Sequence, residues 1–130
     1  MRVDLLAALS VLLLGFSSLK ETTWVAIGDS ITYLNEHPDE TGNRVKKGYM
    51  TRVVEKLPSF TYFNQGHNGW TSGGIAEKFD ELNVQTADVY SIFLGTNDWW
   101  QGRPIGSLDD YKNSRDNKTI NSTAWFFVLN

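Results

Sequence analysis

The chain has no cysteine and only two histidines, His37 and His67, among its 130 residues. Without cysteine it can form neither a disulfide nor a thiolate metal site, and two histidines are too few for an imidazole metal cluster. We therefore expect neither a metal nor a cofactor. A basic excess is also lacking, since 12 Lys and Arg face 15 Asp and Glu, for a formal net charge of -3. This balance gives no electrostatic support to a nucleic-acid partner, so a small molecule is the expected ligand.

The sequence also lacks a hydrophobic run long enough to cross a bilayer, which takes about 20 residues. The apolar stretch Leu5–Phe16 is shorter and is followed by small residues, a layout typical of a secretory signal peptide. We predict a signal peptide over residues 1–18, one domain over residues 19–130, no stable membrane span, and a secreted or periplasmic location. Asp4 weakens the positive charge expected of a leader, and an N-terminal core helix is the alternative.

Three short apolar runs each end in a polar turn that contains glycine. They predict buried strands at Val25–Ile27, Phe60–Asn64 and Val89–Leu94, followed by the loops Gly28–Asn43, Gly66–Gly74 and Gly95–Asp98. Apolar residues at helical spacing lie between the strands: first Val45, Tyr49, Met50, Val53, Val54 and Leu57, then Ile75, Ala76, Phe79 and Leu82. Strands that alternate with helices imply right-handed crossovers into a parallel sheet. The sequence therefore predicts an α/β fold, a three-layer sandwich with one parallel sheet.

The three loops of such a fold lie at one edge of the sheet, because parallel strands all end there. Ser30, the loop Gly66–Gly74 and Asn97 would then share one crevice. A serine at the junction of a strand and a turn is a candidate nucleophile, although Ser, Gly and Asn are each common in turns for conformational reasons alone. Three such strand ends together favour a functional site over three ordinary turns.

These turns resemble three of the four sequence blocks of the GDSL/SGNH hydrolase superfamily, which are serine esterases and lipases. The first block resembles Gly28-Asp29-Ser30-Ile31-Thr32, with isoleucine in place of the leucine of the family name. The second resembles Asn64–Thr71 and the third resembles Gly95–Asp98. The resemblance implies a flavodoxin-like three-layer fold, with Ser30 as the nucleophile and Gly69 and Asn97 in the oxyanion hole.

Residues of these types suit acyl transfer, because the tetrahedral intermediate carries an oxyanion that needs donors already in place. The backbone N–H groups of Ser30 and Gly69 and the side-chain amide of Asn97 could supply three donors. Glycine at position 69 leaves no Cβ between the backbone and a substrate.

The fourth block of the family is an Asp-x-x-His near the C-terminus that supplies the general base, and this pattern does not occur here. His37 lies in the first loop and His67 lies within the second block, so we interpret both as surface or supporting residues rather than as the base. The resemblance implies a longer chain. We therefore expect a C-terminally truncated member, with a weak helix over residues 108–112 and an apolar tail over residues 124–129.

The expected function is that of a serine esterase acting on an ester or O-acetyl group, with little or no activity in the chain as given. Four aromatic residues around the presumed crevice favour an acetylated carbohydrate over a long lipid chain, namely Tyr33, Trp70, Trp99 and Trp100. The alternative is a non-catalytic relative that keeps the loops as a pocket for an acyl group or an anion and has lost the base.

Overall fold

The computed structural model describes residues 20–104. The predicted signal peptide over residues 1–18, the predicted helix over residues 108–112 and the apolar tail over residues 124–129 lie outside the described residues. Within residues 20–104, no helix has the length and the apolar character needed to cross a membrane.

Strands and helices alternate along the described part of the chain. The strands are β1 (Thr22–Gly28), β2 (Phe60–Gly66) and β3 (Val89–Phe93). The α-helices are α1 (Ser30–Tyr33), α2 (Tyr49–Lys56), α3 (Ser72–Lys78) and α4 (Thr96–Trp100), and short 3₁₀ turns cover Leu34–Glu36, Asp39–Thr41 and Phe79–Leu82. All three predicted strands are present, each within a few residues of the expected bounds.

The strands form one parallel sheet in the order β2-β1-β3. In this register Gly28 at the end of β1 lies opposite Gly66 of β2 and Phe93 of β3. The carboxyl ends of the three strands are therefore level with one another. The parallel sheet and the shared edge for the three loops are confirmed.

Strand β1 is buried on both faces, as a central parallel strand should be. Trp24 and Ala26 pack with Met50 of α2 on one face. Val25 and Ile27 pack on the other face in a cluster that includes Ile75 of α3. Helices thus cover both faces of the sheet, and the predicted three-layer α/β sandwich is confirmed.

Asp88 joins β1 and β3 at their amino ends, away from the edge that carries the three loops. Its Oδ2 accepts hydrogen bonds from the backbone N–H and the hydroxyl of Thr23, both at 2.9 Å. Lys20 adds a contact of 3.2 Å to Oδ1. The bonds from Thr23, and then that from Lys20, lower the pKa of Asp88 to about 2, so the carboxylate remains charged at neutral pH and holds the register of the two strands.

The structure differs from the prediction in the loops, where three short helices replace irregular chain. Helix α1 lies within the predicted loop Gly28–Asn43, α3 begins inside the loop Gly66–Gly74, and α4 replaces the polar turn after β3. Two of these helices have side-chain caps, since Asp29 accepts a hydrogen bond from the N–H of Ile31 and Thr71 accepts one from that of Gly74. Because a cap satisfies backbone donors at once, the helix can start directly after the turn.

Helix α2 begins at Tyr49, four residues later than the predicted start of its apolar pattern at Val45. The side chain of Asn35, distant in sequence, caps this helix, because its Oδ1 accepts hydrogen bonds from the N–H groups of Met50 at 3.0 Å and Thr51 at 3.3 Å. Gly48 permits this close approach, since a Cβ at that position would lie 2.2 Å from Asn35 Oδ1. The start of α2 is thus fixed by a tertiary contact.

We predict that Gly48→Ala destabilises the protein by about 1–3 kcal/mol, because the added methyl group forces Asn35 and the backbone of α2 apart. The matched control is Gly73→Ala in α3, where a Cβ would meet no atom within 4 Å. That change should be neutral or stabilising by up to about 1 kcal/mol, since alanine favours helix over glycine. Urea unfolding of the two variants measures the difference, and equal free energies of unfolding would contradict the role of Asn35 as a cap.

Candidate functional site

Ser30 is the first residue of α1 and lies two residues beyond the end of β1. Asp29 caps the helix, with its Oδ1 3.0 Å from the N–H of Ile31. The backbone N–H of Asp29 in turn donates to the carbonyl of Phe93 at 3.3 Å. Ser30 therefore lies at the junction of the central strand and the capped helix α1. Its side chain is half-buried.

The carboxyl group of Asp29 is only 1% exposed, and its Oδ2 has no hydrogen-bond partner within the described residues. Burial raises the pKa of Asp29. The hydrogen bond from Ile31 works against this rise, whereas the nearby charge of Asp98 adds to it. Burial therefore disfavours the charged form of this carboxyl group, which directly precedes Ser30.

The second loop continues from β2 across the end of β1, because the N–H of His67 donates to the carbonyl of Gly28 at 2.9 Å. The His67 ring stacks on Trp70 with centroids 4.5 Å apart. Gly69, between them, is exposed and has a φ of +74°, a backbone conformation that favours glycine. No atom lies within 4 Å of the position of a Cβ at Gly69, so its backbone is open to a ligand.

Asn97 in α4 is tied to this second loop, since its Nδ2 donates to the carbonyl of Trp70 at 2.8 Å. The next residue, Asp98, is 1% exposed and accepts hydrogen bonds from Ser72, at 2.8 Å from the backbone N–H and 2.6 Å from the hydroxyl. The loop after β3 is thereby anchored to the start of α3. Asn97 therefore lies beside Trp70, the residue that follows Gly69.

The three predicted site residues therefore lie on loops at the same edge of the sheet. Hydrogen bonds join the segments of Gly69 and Asn97 directly. Ser30 is linked to both through its strand neighbours, since Gly28 contacts His67 and Asp29 contacts Phe93.

The contacts of the two histidines are not those expected of a general base. His37 stacks on Tyr33 with ring centroids 4.1 Å apart, and its Nδ1 lies 3.5 Å from Glu40 Oε1. Burial lowers the pKa of His67, and its Nε2 has no hydrogen-bond partner among the described residues. In the described part of the chain, neither histidine forms a hydrogen bond with Ser30.

Two of the four aromatic residues expected around the crevice contact other side chains. The ring of Tyr33 stacks on His37. The ring of Trp70 stacks on His67, and the ammonium group of Lys78 lies 5.6 Å from the Trp70 ring centre. Trp99 and Trp100, directly after the third block, are 71% and 74% exposed and meet edge to face. Both rings of this pair are therefore accessible to solvent.

Sequence reasoning missed a depression of about 380 Å³ that includes Ile31, the residue after Ser30. It is lined by Ile31, Leu34, Asn35, Thr41, Val45, Lys47, Gly48, Tyr49 and Arg52. Four of these nine residues belong to the predicted loop Gly28–Asn43 and five to the predicted helical segment that follows it, so no single pattern grouped them. The high exposure of the apolar Ile31 and Val45, at 45% and 47%, becomes evident only in the folded chain.

The sequence pattern of the GDSL-like Lipase/Acylhydrolase family matches residues 26–116, which is more than half of the chain. The chain belongs to this family. The match includes Ser30, Gly69 and Asn97, and the GDSL family membership agrees with the parallel sheet and flanking helices described above.

One solved structure related to this GDSL chain is described as a possible lipase from Chitinophaga pinensis DSM 2588. It is 54% identical over 82% of the chain, with a TM-score of 0.74, and the match covers 48% of that protein. An acetylxylan esterase from Geobacillus stearothermophilus shares the fold at 23% identity, with a TM-score of 0.51 over 73% of the chain and 51% of that protein. The chain thus spans about half the length of these two structures. No curated protein is significantly similar to it.

We predict that Asp29→Asn removes a pH dependence of stability. The folded-state pKa of Asp29 is raised above 3.8, so its contribution to stability is present below that pH and is lost as the pH rises through the folded-state value. Asparagine keeps the oxygen that accepts from Ile31 but does not titrate. The free energy of unfolding of the native chain should therefore fall, relative to that of the variant, as the pH rises above about 4.

Urea unfolding at a series of pH values between about 4 and 7 measures this trend. Asp80→Asn, at an exposed carboxylate, is the control for the loss of one negative charge. Parallel stability curves for the native chain and Asp29→Asn would show that burial does not disfavour the charged form of Asp29.

Proposed function

We propose that this GDSL family member is an esterase in which Ser30 attacks the carbonyl carbon of an ester or O-acetyl group. The observation that carries the proposal is the contact of Asn97 with the carbonyl of Trp70, which places an amide beside the Gly69 loop at the sheet edge where Ser30 begins α1. A nucleophile and two potential oxyanion donors then face the same edge of the sheet.

In the proposed reaction, the bond from Ser30 Oγ to the carbonyl carbon forms as the hydroxyl proton moves to a general base. The carbonyl oxygen becomes an oxyanion that accepts hydrogen bonds from the N–H groups of Ser30 and Gly69 and from Asn97 Nδ2. The Asn97 amide donates one hydrogen to the carbonyl of Trp70, and a side-chain amide has a second hydrogen that can donate to a substrate. Because that first bond fixes the amide, the donor is oriented before substrate arrives.

The general base is the missing part of this mechanism. The 130 residues contain no Asp-x-x-His, and the rings of His37 and His67 stack on Tyr33 and Trp70. We therefore propose that the base and its carboxylate come from outside this sequence, in a longer protein. The chain alone should show little turnover, because loss of one triad member leaves only the residual rate due to binding and the oxyanion hole.

The exposed pair Trp99 and Trp100 supports a carbohydrate-linked ester as the substrate, since sugars present apolar faces that pack on aromatic rings. The signal-peptide pattern supports a secreted or periplasmic location, with residues 1–18 as the leader and residues 19–130 as part of the hydrolase domain. An acetylated carbohydrate outside the cytoplasm would satisfy both observations.

A second candidate function is non-catalytic binding of an acyl group or an anion at the same loops. The absence of Asp-x-x-His favours this candidate for the chain as given. The two candidates predict different results when a general base is added to the chain. Only the esterase would then hydrolyse an ester at Ser30.

We predict that a chimera restores esterase activity. Residues 1–104 of this chain would be joined to the corresponding C-terminal half of the 54% identical Chitinophaga pinensis protein. Hydrolysis of acetylated sugars should exceed that of long-chain nitrophenyl esters. Ser30→Ala should abolish the activity, and Asn97→Ala should lower kcat about 100-fold through the loss of one oxyanion donor.

The controls are Gln101→Ala, which removes an exposed amide at the end of α4, and the 130-residue chain itself. Activity that survives Ser30→Ala would exclude Ser30 as the nucleophile. A folded but inactive chimera that still binds acetylated sugars would favour the binding function. Robust hydrolysis by the 130-residue chain, lost in Ser30→Ala, would place the base within it and make His37→Ala and His67→Ala the next variants.

A further inference from the structure

The depression that includes Ile31 continues into a charged groove. A second depression of about 540 Å³ is lined by Arg44, Val45, Lys46, Lys47, Arg52 and Glu55. It shares Val45, Lys47 and Arg52 with the depression that includes Ile31. We call the combined surface the Ile31–Arg52 groove. Ile31, which directly follows Ser30 in the sequence, lines one end of this groove.

The two ends of the groove differ in chemistry. At the end that includes Ile31 the lining is mainly apolar, with Leu34, Val45 and Tyr49, and the charged Lys47 and Arg52 border it. At the far end four cationic residues face one acidic residue, Glu55. The chain as a whole has a formal net charge of -3, so this local excess of positive charge runs against the charge of the molecule.

The arginines of the groove are positioned by the backbone. Arg52 Nε donates to the carbonyl of Lys47 at 3.2 Å, and Arg44 Nε donates to that of Thr41 at 3.0 Å. Their terminal Nη groups form no hydrogen bond within the described residues. Lys47, by contrast, pairs with Glu55. Two guanidinium groups thus remain available, and a guanidinium group binds carboxylates through paired hydrogen bonds.

We propose that the Ile31–Arg52 groove binds an acidic sugar unit of the substrate, with the carboxylate on Arg44 and Arg52 and the apolar face of the ring near Ile31 and Val45. This proposal rests on the esterase function proposed above and specifies its substrate as an ester of an acidic, acetylated carbohydrate. A long acyl chain fits less well, because charged side chains line both depressions. The apolar side chains lie mainly at the end that includes Ile31.

Calorimetric titration of the Ser30→Ala form of the 130-residue chain tests the proposal without any turnover. The ligands are an acetylated oligogalacturonide, a neutral acetylated xylo-oligosaccharide and a short-chain lysophospholipid below its micelle concentration. The acidic sugar should bind about 10-fold more tightly than the neutral one. Its binding should weaken as salt is raised, since the contacts are exposed charge pairs.

Arg52→Gln and Arg44→Gln should each weaken binding of the acidic sugar about 5-fold and leave binding of the neutral sugar unchanged. Lys56→Gln is the matched control, because it removes an exposed positive charge from the same helix outside the groove. Equal binding of the two sugars, or arginine variants that behave like Lys56→Gln, would overturn the proposal. Tighter binding of the lysophospholipid would overturn it in favour of a lipid ester.

The outcomes separate this proposal from the esterase function. Arginine-dependent binding by the Ser30→Ala chain, together with an inactive chimera, would support the groove as an anion site and reject hydrolysis. An active chimera with no preference for acidic sugars would support the esterase and reject the role of the groove.

Discussion

The parallel pairing of β1 with both of its neighbours sets the position of every loop at the candidate site. Because Gly28 lies opposite Gly66 and Phe93, the three strands deliver their loops at one level. The burial of β1 on both faces makes a shift of this register costly, since it would move Trp24 and Val25 each to the wrong face. The arrangement of the proposed nucleophile and oxyanion donors is therefore a consequence of sheet packing.

Polar side chains then hold the loops in place above the sheet. Asp98 is buried, and both of its carboxylate oxygens accept hydrogen bonds from Ser72. Asn64 of β2 donates to the carbonyl of Thr32 at 3.1 Å. Each contact joins segments that are far apart in sequence. Loops held in this way lose little further entropy when a ligand binds, which is the condition for oxyanion donors to be effective.

The strands, and the edge of the sheet at which the candidate site lies, were accessible from sequence because their signals are local. Val25–Ile27 followed by Gly-Asp-Ser is a contiguous pattern, and the parallel topology follows from the helices between strands. The start of α2 was not accessible, because it depends on Asn35, fourteen residues upstream of Tyr49. The short helix α1 was missed for another reason, since polar and glycine residues suggested a loop while the cap from Asp29 sufficed to begin a helix.

The charged groove could not be predicted for the same physical reason as the start of α2. Arg44, Lys46 and Lys47 appear in the sequence as part of a mixed polar segment, and charge runs of this kind are usually solvated faces. They line one groove only in the folded chain, where Arg44 donates to the carbonyl of Thr41 and Arg52 reaches back to that of Lys47. The same asparagine that caps α2 also lines the depression that includes Ile31. A single buried amide would thus connect the stability of this layer to the shape of the substrate site, so that changes at Asn35 should alter binding and folding together.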